Sequence, residues 1–128
     1  MPYDHVWCVV DVDQHESLDQ AFDRARANSL SLAITNPCFE YWYILHFERT
    51  SRLFSSTSDV LTRLRRHYSA YTKNHAGTFA VVYPMTEQAI RNAEGVIREK
   101  GYGEDLRKCN PSTHVHRLVK LLLVESEN

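Results

Sequence analysis

The chain opens with a nearly unbroken apolar run, Val6-Trp7-Cys8-Val9-Val10, that stops at Asp11-Val12-Asp13. A β-branched run of this length predicts a strand from His5 or Val6 to Asp11, buried on both faces, as in a parallel sheet covered by helices. After polar Gln14 to Glu16, Ser17 offers an N-cap, and Leu18, Ala21, Phe22 and Ala25 recur at helical spacing with Asp23, Arg24 and Arg26 outside the stripe. Leu30 to Thr35 reads as a second strand, which completes a βαβ unit with a right-handed crossover.

Asn36-Pro37 matches a helix start, Asn as the cap and Pro at the first helical position. The helix predicted from Cys38 to Phe47 is apolar nearly all round, with Glu40 the exception. Glu48 to Ser58 reads as a loop ending in several cap residues. Val60, Leu61, Leu64, Tyr68 and Tyr71 then line one face of a helix, with Arg63, Arg65 and Arg66 off that face and Lys73 just beyond. Residues 78–83 fit either a short strand or an apolar turn. Thr86, Ile90, Ala93 and Ile97 mark another helix, mildly interrupted by Gly95 and ended near Gly101. Asn110-Pro111-Ser112-Thr113 repeats the helix-start pattern, followed by a stripe of Val115, Leu118, Val119 and Leu122 and a frayed tail. Two strands cannot form a stable sheet alone. A third must lie around residues 78–83, belong to a segment before Met1, or come from a partner.

Composition narrows the class. The 128 residues amount to one domain, 1–128, and 43% hydrophobic with 24% charged residues is a globular balance. A formal net charge of -1 excludes a wholly basic surface, so any contact with nucleic acid must be local. Cys8, Cys38 and Cys109 are odd in number, lack Cys-x-x-Cys spacing, and read as buried free thiols in a reducing compartment. No signal-peptide pattern is present, and no apolar run approaches the ~18 residues of a membrane span. A soluble cytoplasmic protein is expected.

Three features carry candidate chemistry. Residues i and i+2 of a strand share a face, so Asp11 and Asp13 would converge on one divalent cation, Mg²⁺ or Mn²⁺ being suited to oxygen ligands. The same spacing also describes a strand end turning into solvent. Glu40 opens a helix at the carboxyl end of the second strand, where open α/β sheets bind ligands, and so offers a third metal carboxylate. Its position in the first turn also suits the helix dipole alone. Arg63, Arg65, Arg66 and Lys73 are the one basic group able to hold a phosphate backbone, or else an ordinary solvated face. His46, two turns beyond Glu40, fits an interior hydrogen-bonded histidine better than a ligand.

Several boxes together resemble the RloB-like family: Val-Trp-Cys-Val-Val-Asp-Val-Asp, Asn-Pro-Cys-Phe-Glu-Tyr-Trp with His46-Phe47 behind it, Tyr71-x-Lys73, Ala89-Ile90 with Ala93, and Asn110-Pro111-Ser112-Thr113 with Val115 and Leu118-Val119. The likeness runs from about residue 5 to 123, in the family's order. It implies a Toprim-like three-layer α/β fold with a small, mostly parallel sheet. It also implies a role in bacterial defence against phage or foreign DNA, linked to restriction loci, as a nuclease. On that resemblance Asp11 and Asp13 match the Mg²⁺-binding Asp-x-Asp, Glu40 matches a further acid, and Lys73 matches a basic residue that stabilises phosphoryl charge. Asn110 and Ser112 are expected as helix caps. The chain departs from the family in lacking the preceding strand with its catalytic Glu and Gly, so it is expected to be N-terminally short of its first strand.

The leading expectation is therefore a Mg²⁺-dependent domain that hydrolyses nucleic-acid phosphodiesters, with Asp11, Asp13, Glu40 and Lys73 as catalytic residues. The alternative is an inactive or truncated subunit that binds nucleic acid or protein, as a homo-oligomer or through a partner that supplies a strand to its exposed sheet edge. A phosphatase or nucleotide-binding module is disfavoured because the four glycines are scattered and form no phosphate loop.

Overall fold

A computed structural model describes residues 5–13, 17–74 and 76–127. Residues 1–4, the polar stretch Gln14 to Glu16, His75 and the end of the tail at Asn128 lie outside the described residues. β1 (Trp7–Asp11), α1 (Leu18–Ala27) and β2 (Ser31–Asn36) form the expected βαβ unit, with β1 and β2 parallel from Trp7↔Ser31 to Asp11↔Thr35. Then come α2 (Glu40–Phe47), α3 (Thr57–His67), α4 (Thr78–Val82), a 3-10 turn (Tyr83–Met85) and α5 (Thr86–Lys100). β3 (Ser112–Thr113) and α6 (Val115–Glu127) close the chain. The fold is α/β with a small mixed sheet, ordered β1-β2-β3.

Three local expectations change. The third strand is Ser112–Thr113, antiparallel to the end of β2, and not residues 78–83. That latter stretch is helical because its burial follows the helical period: Thr78 and Val82 are buried, while Phe79, Val81 and Tyr83 face out. The two Asn-Pro boxes do not cap helices. Asn36 ends β2, and its side-chain amide donates to the carbonyls of Leu106 and Arg107 at 3.0 and 3.1 Å. Asn110 accepts from the Phe54 N–H at 3.1 Å and donates to the Phe54 carbonyl at 2.8 Å, like a strand partner. Ser112 lies in β3, and the first N–H of α6, from Val115, is received by Thr113 Oγ1.

Successive residues of β2 serve two cores, as the pleat requires. Ala33 packs with Tyr41, Ile44, Leu45, Phe54, Val60, Leu64 and Ala93 on one face. Ile34 packs with Val10, Leu106, Leu18 and Phe22 on the other. The centre strand is covered on both sides. β1 is not, contrary to expectation: Cys8 is exposed and Val9 keeps 50% of its surface. An open cavity of about 360 Å³ runs between β1 and α1, lined by Cys8, Val9, Ala21 and Ala25. The Val6 carbonyl accepts from Ser31 and the Val12 N–H donates to Thr35, which fixes the even-numbered residues as those bonded to β2. By the parallel pattern the backbone groups of Trp7 and Val9 turn to the far edge, where no strand pairs among the described residues. All three thiols are free as expected, yet only Cys38 is buried.

α5 runs unbroken through Gly95 because the Arg49 guanidinium lies where a side chain would be, 2.7 Å from the position of a Cβ, and donates to the Gly95 carbonyl. No helix among the described residues is long and apolar enough to cross a membrane.

Candidate functional site

The parallel pairing of β1 with β2 delivers Asp11 to the start of α2. Asp11 Oδ1 accepts from the Phe39 N–H at 3.0 Å, one of the backbone donors that a helix start leaves unpaired. Half-burial and the nearby Glu40 charge raise its pKa above the usual carboxylate value, against the pull of that N–H and of Lys73.

Glu40, the first residue of α2, is 2% exposed. Its Oε2 accepts from the Tyr71 hydroxyl at 2.8 Å and lies 3.7 Å from Lys73 Nζ. Its Oε1 is buried and has no hydrogen-bond partner among the described residues. A buried acceptor left bare costs on the order of 1–3 kcal/mol, which marks this oxygen as awaiting a donor or a cation. Burial, then the Glu40 bond and charge, push the Tyr71 hydroxyl well above the usual phenol range, so it stays a donor. Burial and the same charge push the Cys38 thiol up to about 12, so it is neither nucleophile nor ready metal ligand at neutral pH.

Asp13 lies past the end of β1. Its N–H donates to the Pro37 carbonyl, and its carboxylate accepts from Thr57 Oγ1 at 3.1 Å. The structure thus brings Asp11, Glu40 and Lys73 together with Tyr71, and sets Asp13 on the rim beside Thr57. Neither Tyr71 nor Thr57 is given a site role by the sequence. The position of Tyr71 two residues before Lys73 was the available signal, but its ring was counted only as core.

The basic residues part company. Arg63 makes two 2.7 Å bonds to Glu48, which also receives His67 at 2.6 Å, and these contacts lower the Glu48 carboxyl to about 2. Arg65 donates through Nε to the Tyr71 carbonyl at 3.1 Å, and so holds the loop that presents Tyr71 and Lys73. Arg66 is exposed on α3. Of these four, Lys73 is the one that stands beside the carboxylates. His46 is interior, Nδ1 bonded to the Trp42 carbonyl at 2.9 Å, and burial lowers its basicity.

A family model described as RloB-like protein matches residues 1–122. The chain belongs to the RloB-like family. The matched span contains every element that builds this site. No curated protein and no solved structure matches the RloB-like chain.

Among the described residues, no three His, Cys, Asp or Glu side chains gather closely enough to hold a metal ion as they stand. The donor chemistry of the RloB-like site nevertheless fits a hard divalent cation. Its two innermost acids repel each other, and Glu40 Oε1 has no partner among the described residues. A cation beside Asp11 and Glu40 would relieve both conditions.

Proposed function

We propose that this RloB-like chain is a Mg²⁺- or Mn²⁺-dependent nuclease-type domain of Toprim-like descent, acting on nucleic-acid phosphodiesters in a bacterial, cytoplasmic, restriction-linked defence against phage. The observation that carries the reading is the buried Glu40, one oxygen held by Tyr71 and the other without a partner among the described residues, next to Asp11 with its raised pKa. Asp11 and Glu40 would hold the metal, with Asp13 as a further ligand from the rim. When bound, the metal supplies Lewis-acid polarisation of the phosphodiester and a more acidic water. The chain's own groups do the rest. The Phe39 N–H fixes Asp11, the Tyr71 hydroxyl fixes Glu40, and Lys73, 68% exposed, offers its charge to a phosphate oxygen. Arg66 and the loop side of Arg65 extend the positive surface along α3, while Arg63 stays with Glu48.

Isothermal titration with Mn²⁺ tests the reading. The wild-type chain is expected to bind saturably, and Asp11→Ala/Glu40→Gln to bind no longer. Binding unchanged in that variant, or absent from the wild type, overturns the metal site. Asp13→Ala and Lys73→Ala are expected to lower cleavage of oligonucleotides by at least tenfold.

A second reading rests on the open edge of β1, where Val9 is half exposed and no strand pairs among the described residues. On that reading the chain is a non-enzymatic subunit, pairing with a second copy or with a strand from another protein. Assembly in the absence of metal, broken by Val9→Lys, would favour it.

A further inference from the structure

A second concavity adjoins the acidic site and is built of different material. It lies between α2, the α4 turn and α6, has a volume of about 350 Å³, and is lined by Phe39, Tyr43, His46, Phe79, Tyr83 and Leu122 among others. That volume is within the ~300–1,000 Å³ of small-ligand sites. Its outer wall is a pair of tilted rings, Phe79 and Tyr83, with centroids 5.2 Å apart. They are 71% and 56% exposed, so they are not core residues. The inner wall is Phe39 and Tyr43, packed edge to face at 5.2 Å.

The inner wall is shared with the acidic site. Phe39 lines the cleft with its side chain and holds Asp11 with its backbone N–H. Tyr43 lines the cleft and packs 5.6 Å from Tyr71, whose hydroxyl holds Glu40. Polar capacity is small but present. His46 donates from Nδ1 to the Trp42 carbonyl, which leaves Nε2 as an acceptor.

We propose that this cleft is a base-binding subsite that takes one unpaired nucleobase of a single-stranded nucleic acid whose phosphate lies at the Asp11–Glu40–Lys73 site. The proposal rests on the nuclease reading for the phosphate and on the cleft's own geometry for the base. Aromatic rings on two sides, with His46 and the tyrosine hydroxyls as polar groups and Val82, Val119, Leu122 and Leu123 completing the lining, suit the face of a heterocycle. A duplex hides its base faces within its stack, so the arrangement selects single strands, loops or frayed ends.

The test is fluorescence anisotropy in Ca²⁺, with gel analysis to confirm that the strands stay intact, using labelled twelve-nucleotide DNA and RNA single strands, the matching duplexes, and a single strand carrying abasic sites in place of its bases. Wild-type protein is expected to prefer single strand to duplex. Both the abasic strand and the Phe79→Ala/Tyr83→Ala variant are expected to weaken binding about ten- to hundredfold. Both replaced rings are exposed, and circular dichroism with thermal unfolding checks that the variant folds. Equal affinity for normal and abasic strands, an unaffected double variant, or no binding by wild type overturns the subsite. Loss of self-association in the variant, seen by light scattering without change in strand binding, assigns the rings to a protein contact and overturns it too. Base-dependent binding without cleavage in Mn²⁺ upholds the subsite and refutes the nuclease reading alone.

Discussion

β1 and β2 are near twins in sequence, each a short run of apolar residues closing on polar ones, and they live in different surroundings. β2 is sealed from Ala33 to Asn36, paired with β1 on one edge and with β3 at Thr35 and Asn36 on the other. β1 buries Val10 and leaves Cys8 and Val9 open. A hydrophobic run therefore specifies a strand without specifying who stands on each side of it. The edge of β1 is where this domain has room for something else, and the end of the same strand carries Asp11.

The comparison can be broken most forcefully in the core. Ile34→Ala removes a side chain with 2% exposure and is expected to cost about 2–5 kcal/mol in urea unfolding, whereas Val9→Ala should cost under about 1 kcal/mol. Equal costs would mean that β1 is covered in solution.

Acid should act on the sealed side next. His114 donates its N–H to the Ile34 carbonyl, and its ring and that of His116 are buried, which holds both down to about 4 from an ordinary 6.5. Between those values the unfolded chain takes up protons that the native chain refuses. Stability should then be flat above pH ~6.5 and fall as pH drops towards 4. Melting temperatures across that range check this, with a flatter curve expected for His114→Gln/His116→Asn. Glu48, lowered to about 2 chiefly by its bonds to Arg63, has the opposite charge and a later window: its contribution is intact above pH ~4.5 and lost below it.

A smaller effect separates the two edges of β2. The buried hydroxyls of Thr35 and Thr113 bond at 2.8 Å across 78 residues of chain. Thr35→Val alone should cost about 1–3 kcal/mol, and Thr35→Val/Thr113→Val less than the sum of the singles, as a double-mutant cycle would show. Smallest of all, Val9→Lys should leave monomer stability within about 0.5 kcal/mol. Its effect belongs to assembly, read by light scattering.

Elements with a strong period were legible in the sequence: β1, β2, α1, α5 and α6 lie close to where their stripes put them. β3 was not, because two residues have no period and are defined by partners far along the chain. Asn36 and Asn110 show the same limit. The local cap rule competes with distant backbone groups, and the carbonyls of Leu106 and Arg107 and both backbone groups of Phe54 won. At the site, Asp11 and Glu40 were legible as acids where a strand ends and a helix begins. The i, i+2 rule holds only inside a strand, and β1 stops at Asp11, so Asp13 turns to the rim and to Thr57. Tyr71 was hidden by its own ring: the pattern sees an aromatic residue on a buried face and not the hydroxyl that holds Glu40.

The distance between Thr35 and Thr113 has a consequence for how the protein is made. A ribosome adding ~5–20 residues per second needs roughly 4–16 s to travel the 78 residues from one to the other. Throughout that interval the nascent chain carries a finished βαβ unit with both outer edges bare. The outer edge of β2 gains its partner, at Thr35 and Asn36, only when Ser112 and Thr113 emerge, and among the described residues the outer edge of β1 gains none. Newborn chains on a crowded polysome would thus present more pairing surface than folded ones, and a chaperone that shields strand edges would matter most before Ser112 and Thr113 emerge.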